Sequence, residues 1–333
     1  MAEAAEAPPH PREVFDYARG EVVEKAFLEA LDRGRLHHAW MLTGPEGIGK
    51  ATFAYRAARR LLGARPDPAF GRLGCAPDDP EARLIAARAH PDLLVLERRV
   101  EDGKLKKFIA VDDARELPEF FSKAPSRSGF RVAIVDAADD MNVNAANALL
   151  KTLEEPPERG VVFLVAHAPG RLMATIRSRC RRLAFAPWPL PDVAEFLRRR
   201  TGLDDGDVAD LARMAAGAPG RALQLAASEV LTLDVLARDL VLGRRPTPSA
   251  LVKIADGFRS AEGQARFELL FQRLAEAVRA RATAQPPPAG LERWAGLWDR
   301  LSAAPAQAEA VNLDRADLFW SSLAELDALS GGA

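Results

Sequence analysis

Cysteine is scarce in this 333-residue chain: only Cys75 and Cys180, far apart. Two distant thiols cannot build a disulfide framework, and the scarcity fits a cytoplasmic protein. Excess charge of one sign is also missing, since the formal net charge is −1. That balance speaks against a protein whose main business is coating nucleic acid, though it leaves room for a local basic patch. No uninterrupted apolar stretch is long enough to span a bilayer, so no membrane association is expected. Met1–Pro11 has no positive segment ahead of an apolar core, which predicts no signal peptide. What the chain does have is length for two or three domains and 48% hydrophobic residues to build their cores.

Short apolar runs at Ala39–Leu42, Leu93–Leu96, Val132–Val135, Val161–Ala166 and Leu183–Phe185 have the length of buried parallel strands. Helical patterns separate them; Ala146, Leu149, Leu150 and Leu153 fall at i, i+3, i+4, i+7 on one face. Strand–helix alternation predicts a parallel sheet covered on both sides. The pattern stops at Ala186-Pro187-Trp188-Pro189-Leu190-Pro191, where the proline density marks a boundary. Beyond Asp192 the pattern is helical. Arg244-Arg245-Pro246-Thr247-Pro248 reads as a second linker, and Gln285-Pro286-Pro287-Pro288 interrupts the remainder. The expected organisation is an α/β domain over 1–186, a small helical domain over 187–243 and a larger helical domain over 244–333.

Directly after the first strand comes Gly44-Pro45-Glu46-Gly47-Ile48-Gly49-Lys50-Ala51-Thr52, with the G-x-x-x-x-G-K spacing of a phosphate-binding P-loop. Gly44, Gly47 and Gly49 let backbone N–H groups turn toward phosphate oxygens. The helix start adds a positive dipole end, and Lys50 a cation. The next position should carry a hydroxyl for Mg²⁺, but Ala51 has no oxygen. Thr52 lies one residue on, rotated by about 100° around the helix.

A second acidic motif, Val132-Ala133-Ile134-Val135-Asp136, ends an apolar strand in a carboxylate of the kind that assists a P-loop Mg²⁺ site. A hydrolytic enzyme usually has Glu next, to polarise water; here it is Ala137. Asp139 and Asp140 lie nearby and are expected to be helix-capping charges. A metal hydroxyl and a water-activating acid are both missing, so weak or absent binding of ATP and Mg²⁺ is expected, in a fold kept for shape and contacts.

Then come Asn147-Ala148-Leu149-Leu150-Lys151-Thr152-Leu153-Glu154-Glu155-Pro156-Pro157, a buried strand, and Ile176-Arg177-Ser178-Arg179-Cys180. This run resembles bacterial clamp-loader ATPase subunits of the AAA+ type and their replication factor C relatives. The likeness covers about residues 36–186. It extends more weakly through Gly217-Ala218-Pro219-Gly220-Arg221-Ala222-Leu223, and Asn312-Leu313-Asp314-Arg315 resembles the family's C-terminal collar. The resemblance implies a P-loop α/β domain, a helical lid and an all-α collar. It also implies that Ser178-Arg179-Cys180 is the family's arginine-finger motif, with Arg179 reaching the ATP site of a neighbouring subunit. Motor subunits of the family keep the acidic pair and the P-loop hydroxyl, so Ala51 and Ala137 place the resemblance with its delta-prime stator branch. Gly220 takes the place of the motor's phosphate-sensing arginine, with Arg221 one step later.

The implied partners are the gamma/tau and delta subunits and, indirectly, the sliding clamp and primed DNA. Many members carry a four-cysteine zinc module after the P-loop helix. Here residues 62–90 hold Cys75 alone; with His90 it cannot make a tetrahedral site, so no zinc is expected and an insertion should fill the place. Cys180 reads as a packing residue, and His37, His38 and His167 as structural. The third domain is expected to be the oligomerisation collar, and its cluster Leu318-Phe319-Trp320 with Leu323 and Leu326 to offer apolar surface for helix packing. The competing readings are an active gamma/tau-like ATPase that uses Thr52 with Asp139 or Asp140 and, further off, a small-molecule P-loop kinase.

Overall fold

The computed structural model describes residues 8–101, 104–260, 263–284 and 291–330. The proline run at 285–288 and the start of the N-terminal stretch fall outside these residues. The chain divides into two compact units. The first runs up to Arg200 and takes in Ala212–Gln224; the second comprises Thr201–Leu211 and the chain from Leu225 onward.

In the first unit, helix α1 (Glu21–Asp32) leads to strand β1 (Ala39–Thr43) and helix α2 (Lys50–Leu61). A short helix α3 (Pro80–Ala86) precedes β2 (Leu93–Glu97), and a two-stranded ribbon follows, β3 (Val100–Glu101) with β4 (Lys104–Leu105). Helix α4 (Val111–Ser122), β5 (Arg131–Asp136), α5 (Val143–Glu154), β6 (Gly160–Ala166), α6 (Ala174–Ser178), β7 (Arg181–Ala184) and α7 (Leu190–Arg200) complete the series. The main sheet is parallel, in the order β2-β5-β6-β1-β7.

Alternating side chains divide its two faces, as the pleat requires. Trp40, Leu42, Val132, Ile134, Val161, Phe163 and Val165 pack with Phe27 of α1 and Phe53 of α2. Met41, Ala133, Val135, Val162 and Leu164 pack with Leu117 of α4, Leu149 and Leu153 of α5, and Ile176 of α6. Central β6 is buried at all seven positions, which is why it reads as an unbroken apolar run. The expected parallel α/β sheet is present, with strand limits within two residues of those read from the apolar runs.

Helices α8 (Asp205–Met214) and α9 (Pro219–Ala226) come next along the chain. The helical bundle of the second unit is α10 (Val230–Val241), α11 (Pro248–Gly257), α12 (Gly263–Ala282), α13 (Leu291–Val311) and α14 (Arg315–Ser330). Its core draws on Leu233 and Leu240 of α10 as well as Phe267, Phe271, Trp294, Leu297 and Phe319. The apolar cluster expected to serve helix packing does so within this bundle: Phe319, Leu323 and Leu326 are buried in its core, while Trp320 stays 40% exposed. Collapse against α10–α13 removes more apolar area from water than leaving that face open would. Asn312–Arg315 is a joint: Asp314 accepts from the Ala316 N–H at 2.7 Å and pairs with Arg259, and Arg315 donates to the Phe258 carbonyl. Among the described residues no helix is long and apolar enough to cross a membrane.

Candidate functional site

The P-loop stands where the sequence puts it, between β1 and α2. Gly44, Gly47 and Gly49 all have positive φ, at 150°, 75° and 99°. Gly47 is constrained twice over, since a Cβ there would also overlap the backbone nitrogen of Arg221. The Gly220 N–H donates to the Gly47 carbonyl at 2.8 Å, and a Cβ on Gly220 would sit 2.8 Å from that oxygen. The start of α9 is therefore pressed onto the phosphate loop, backbone to backbone, through two glycines.

Lys50 is buried, and its Nζ donates to the carbonyls of Gly44 (2.6 Å) and Pro45 (2.7 Å). Burial pushes its pKa down to about 8, against the pull of Asp136, Asp139 and Glu46. The cation that a P-loop offers to phosphate is thus folded back on the loop's own carbonyls. Asp136, at the end of β5, is pushed up to about 6, by burial first and then by Glu97, with Lys50 opposing. Ala51 and Thr52 line the same cavity as Lys50, Asp136 and His167, of about 430 Å³ and within the first unit. That volume suits a small ligand. Its chemistry does not fit a hydrolytic Mg²⁺–nucleotide centre, because position 51 has no oxygen and position 137 no carboxylate.

The two nearby aspartates are engaged elsewhere. Asp139 accepts the backbone N–H groups of His167 and, at 3.1 Å, Ala168, so it ties down the turn leaving β6. Asp140 pairs with Arg98 at 2.9 Å. Neither caps α5: Asn142 does, accepting from the Ala145 N–H at 2.9 Å. The expectation of helix-capping aspartates is corrected in that respect, because Asn142 already satisfies the α5 terminus.

Sequence reasoning missed what anchors the segment that lines this site. α2 buries two arginines three residues apart. Arg56 pairs with Glu24 and donates to the carbonyls of Phe15 and Phe70. Arg59 donates to those of Arg12 and Val14, with the Phe15 ring against its guanidinium. They fasten the segment whose Val14 and Tyr17 line the cavity, and the Tyr17 hydroxyl donates to the Gly49 carbonyl at 3.1 Å. The only signal in the sequence was an arginine spacing of three within an otherwise small, apolar helix.

Residues 62–90 form a 3-10 turn and α3, whose N-terminus Asp79 caps through the N–H groups of Glu81 and Ala82. Cys75 packs with Ala64, Ala82 and Phe15, and burial raises its thiol pKa. Among the described residues no cluster of His, Cys, Asp and Glu has metal-holding geometry. His37 bonds to Ala39 backbone and His38 to the Leu153 carbonyl.

Arg179 follows the last residue of α6. Its guanidinium pairs with Glu154 at 2.9 Å and donates to the Thr175 carbonyl at 3.0 Å, and it remains 37% exposed. Ser178 donates to the Thr175 carbonyl at 3.1 Å, and burial pushes the Cys180 thiol up to about 12. The adjacent arginines face other tasks: Arg181 lies 4.9 Å from the Trp40 ring centroid, and Arg182 donates to the Thr43 hydroxyl at 3.0 Å. The Ser178-Arg179-Cys180 turn at the end of α6 and the P-loop ahead of α2 are separate features; the structure does not bring Arg179 together with Lys50.

A family model described as DNA polymerase III, delta subunit matches residues 20–189, the P-loop, the second acidic motif and the Ser-Arg-Cys turn included. The chain belongs to that family. The DNA polymerase III subunit delta' of Pseudomonas aeruginosa is 42% identical over 165 residues, 50% of this chain and 47% of that protein. Its Escherichia coli K12 counterpart is 36% identical over 192 residues, 58% of this chain and 55% of that one. The chain therefore spans about half the length of the curated relatives it matches. A solved structure, the DNA polymerase III gamma subunit-related protein of Thermotoga maritima, matches with a TM-score of 0.50 at 19% identity, over 91% of this chain and 99% of that one, a likeness of fold.

Proposed function

We propose that this chain is a delta-prime-type stator of a cytoplasmic clamp loader. It hydrolyses no ATP of its own, presents Arg179 to the ATP site of a neighbouring gamma/tau-type motor subunit, and with that subunit and delta helps place a sliding clamp on primed DNA. The observation that carries the reading is the contrast between two sites. The chain's own cavity lacks an oxygen at Ala51 and a carboxylate at Ala137, with Lys50 turned back on loop carbonyls. Arg179, by contrast, is half-exposed and braced. An arginine supplied in trans stabilises charge on a transferring phosphoryl group. Nucleotide binding in the cavity is weak or absent on this reading. Arg221 stands in the sensor segment, but its backbone abuts Gly47.

The alternative of an active gamma/tau-like ATPase needs Asp139 or Asp140 as a base. Asp140 is already paired with Arg98 and one oxygen of Asp139 is taken by backbone N–H groups, which favours the stator. ATP hydrolysis by the pure protein separates the two: no turnover is expected, and a rate abolished by Lys50→Ala would overturn the stator reading. In the assembled loader, Arg179→Ala should leave assembly intact and lower ATPase. Loss of a trans arginine costs on the order of 10³-fold or more at the affected site in GTPases, and less in the bulk rate of a complex with several sites. Arg179→Lys should not fully rescue, because a point charge lacks the planar fork. The reading also holds that the chain carries no zinc; one tightly held equivalent on metal analysis would contradict it.

A further inference from the structure

We propose that Glu154 is a positioning residue for Arg179, an inference that rests on the trans-finger reading above. α5 ends at Glu154 and α6 ends at Ser178; Leu149 and Leu153 share a core with Ile176, which sets the two helix ends side by side. Glu154 takes one terminal nitrogen of the Arg179 guanidinium at 2.9 Å, and the Thr175 carbonyl takes the other at 3.0 Å. A hydrogen bond at one terminal nitrogen and an ion pair at the other hold the direction of the planar group. A guanidinium has five N–H donors. One is given to the Thr175 carbonyl and the Glu154 carboxylate pairs with the other end of the group, which leaves N–H groups for an incoming ligand on a side chain that is 37% exposed.

The position of Glu154 is not explained by its own helix. A carboxylate in the last turn lies at the negative end of the helix dipole, where it is unfavourable. The Arg179 cation offsets that, and the carboxylate in turn restrains a long side chain that otherwise samples many rotamers. The two arginines that follow on β7 are placed differently, with Arg181 against the Trp40 ring and Arg182 bonded to Thr43. Preorganisation of this kind acts on the transition state, where the guanidinium meets the transferring phosphoryl group, and not on ATP affinity.

The test is steady-state ATP hydrolysis by the complete loader carrying Glu154→Ala, Glu154→Gln, Arg179→Ala or the Glu154→Ala/Arg179→Ala pair, with assembly checked by gel filtration. The Arg179-dependent rate is the wild-type rate minus that of Arg179→Ala. Because the pair is partly exposed, Glu154→Ala should lower kcat for that component by about two- to five-fold, with KM for ATP unchanged. Glu154→Gln keeps an oxygen for the same nitrogen and should recover most of the loss. The double variant should be no slower than Arg179→Ala. A Glu154→Ala loader as fast as wild type or faster, or a double variant in which the two losses multiply, overturns the positioning role while leaving the finger intact. An Arg179→Ala loader with full activity overturns the finger and this inference with it.

Discussion

Replacing Glu24 by alanine should be the most damaging single deletion among the groups that fasten the cavity-lining segment from behind. Glu24 is 3% exposed and Arg56 1%. One carboxylate oxygen meets the guanidinium at 2.9 and 2.8 Å, and the other accepts from the Leu73 N–H at 3.4 Å. Truncation leaves a buried guanidinium with backbone carbonyls but no counter-charge, which costs about 3–5 kcal/mol. At about 2–4 °C per kcal/mol for a domain of this size, the unfolding midpoint should fall by roughly 6–20 °C. Urea unfolding followed by far-UV circular dichroism, with a thermal scan beside it, measures both. A companion pair, Glu24→Leu with Arg56→Met, removes both charges and should recover part of the loss. Recovery stays incomplete because the Phe15 and Phe70 carbonyls lose their donor, at about 1–3 kcal/mol for each buried group left unsatisfied. A Glu24→Ala protein within about 1 kcal/mol of wild type would refute the reasoning, since it would mean that water or a rearranged side chain replaces the carboxylate at no cost.

Gly47→Ala combines a left-handed backbone with overlap on Arg221 and should destabilise the chain by about 1–3 kcal/mol in the same urea assay; an unchanged midpoint would show that α9 does not press on the loop. Asp136 has a folded pKa of about 6, above its ordinary 3.8. Folding therefore favours its protonated form: that stabilisation is complete below about pH 4 and is lost as pH rises through 6. Asp136→Asn should flatten the stability profile between about pH 4 and 6, and an unaltered slope there would assign the dependence to another group. Both thiols are held protonated by burial, so a chromogenic disulfide reagent at neutral pH should modify them slowly in the native protein and rapidly in urea; immediate reaction of two equivalents in the native state would contradict the packing of Cys75 and Cys180.

The residue order by itself determined the sheet and the P-loop. Buried parallel strands must be apolar on both faces, so β1, β5 and β6 announce themselves as short apolar runs. A phosphate loop needs glycines and a lysine at fixed spacing, and the absences at Ala51 and Ala137 are legible for the same reason: a missing oxygen is a fact of composition. Other features were decided only in three dimensions. Nothing in the local sequence marks Arg56 and Arg59 for burial; the fold brings Glu24 and the carbonyls of residues 12–15 around them. Phe319, Leu323 and Leu326 read as apolar surface for helix packing, but only the fold shows that they pack in one core with α10–α13. Gly220 meets Gly47, and Glu154 meets Arg179, across segments with no shared periodicity. Local patterns encode which face of an element is apolar. Which charged group meets which is set by the packing of elements distant in the chain, and no window of sequence contains that distance.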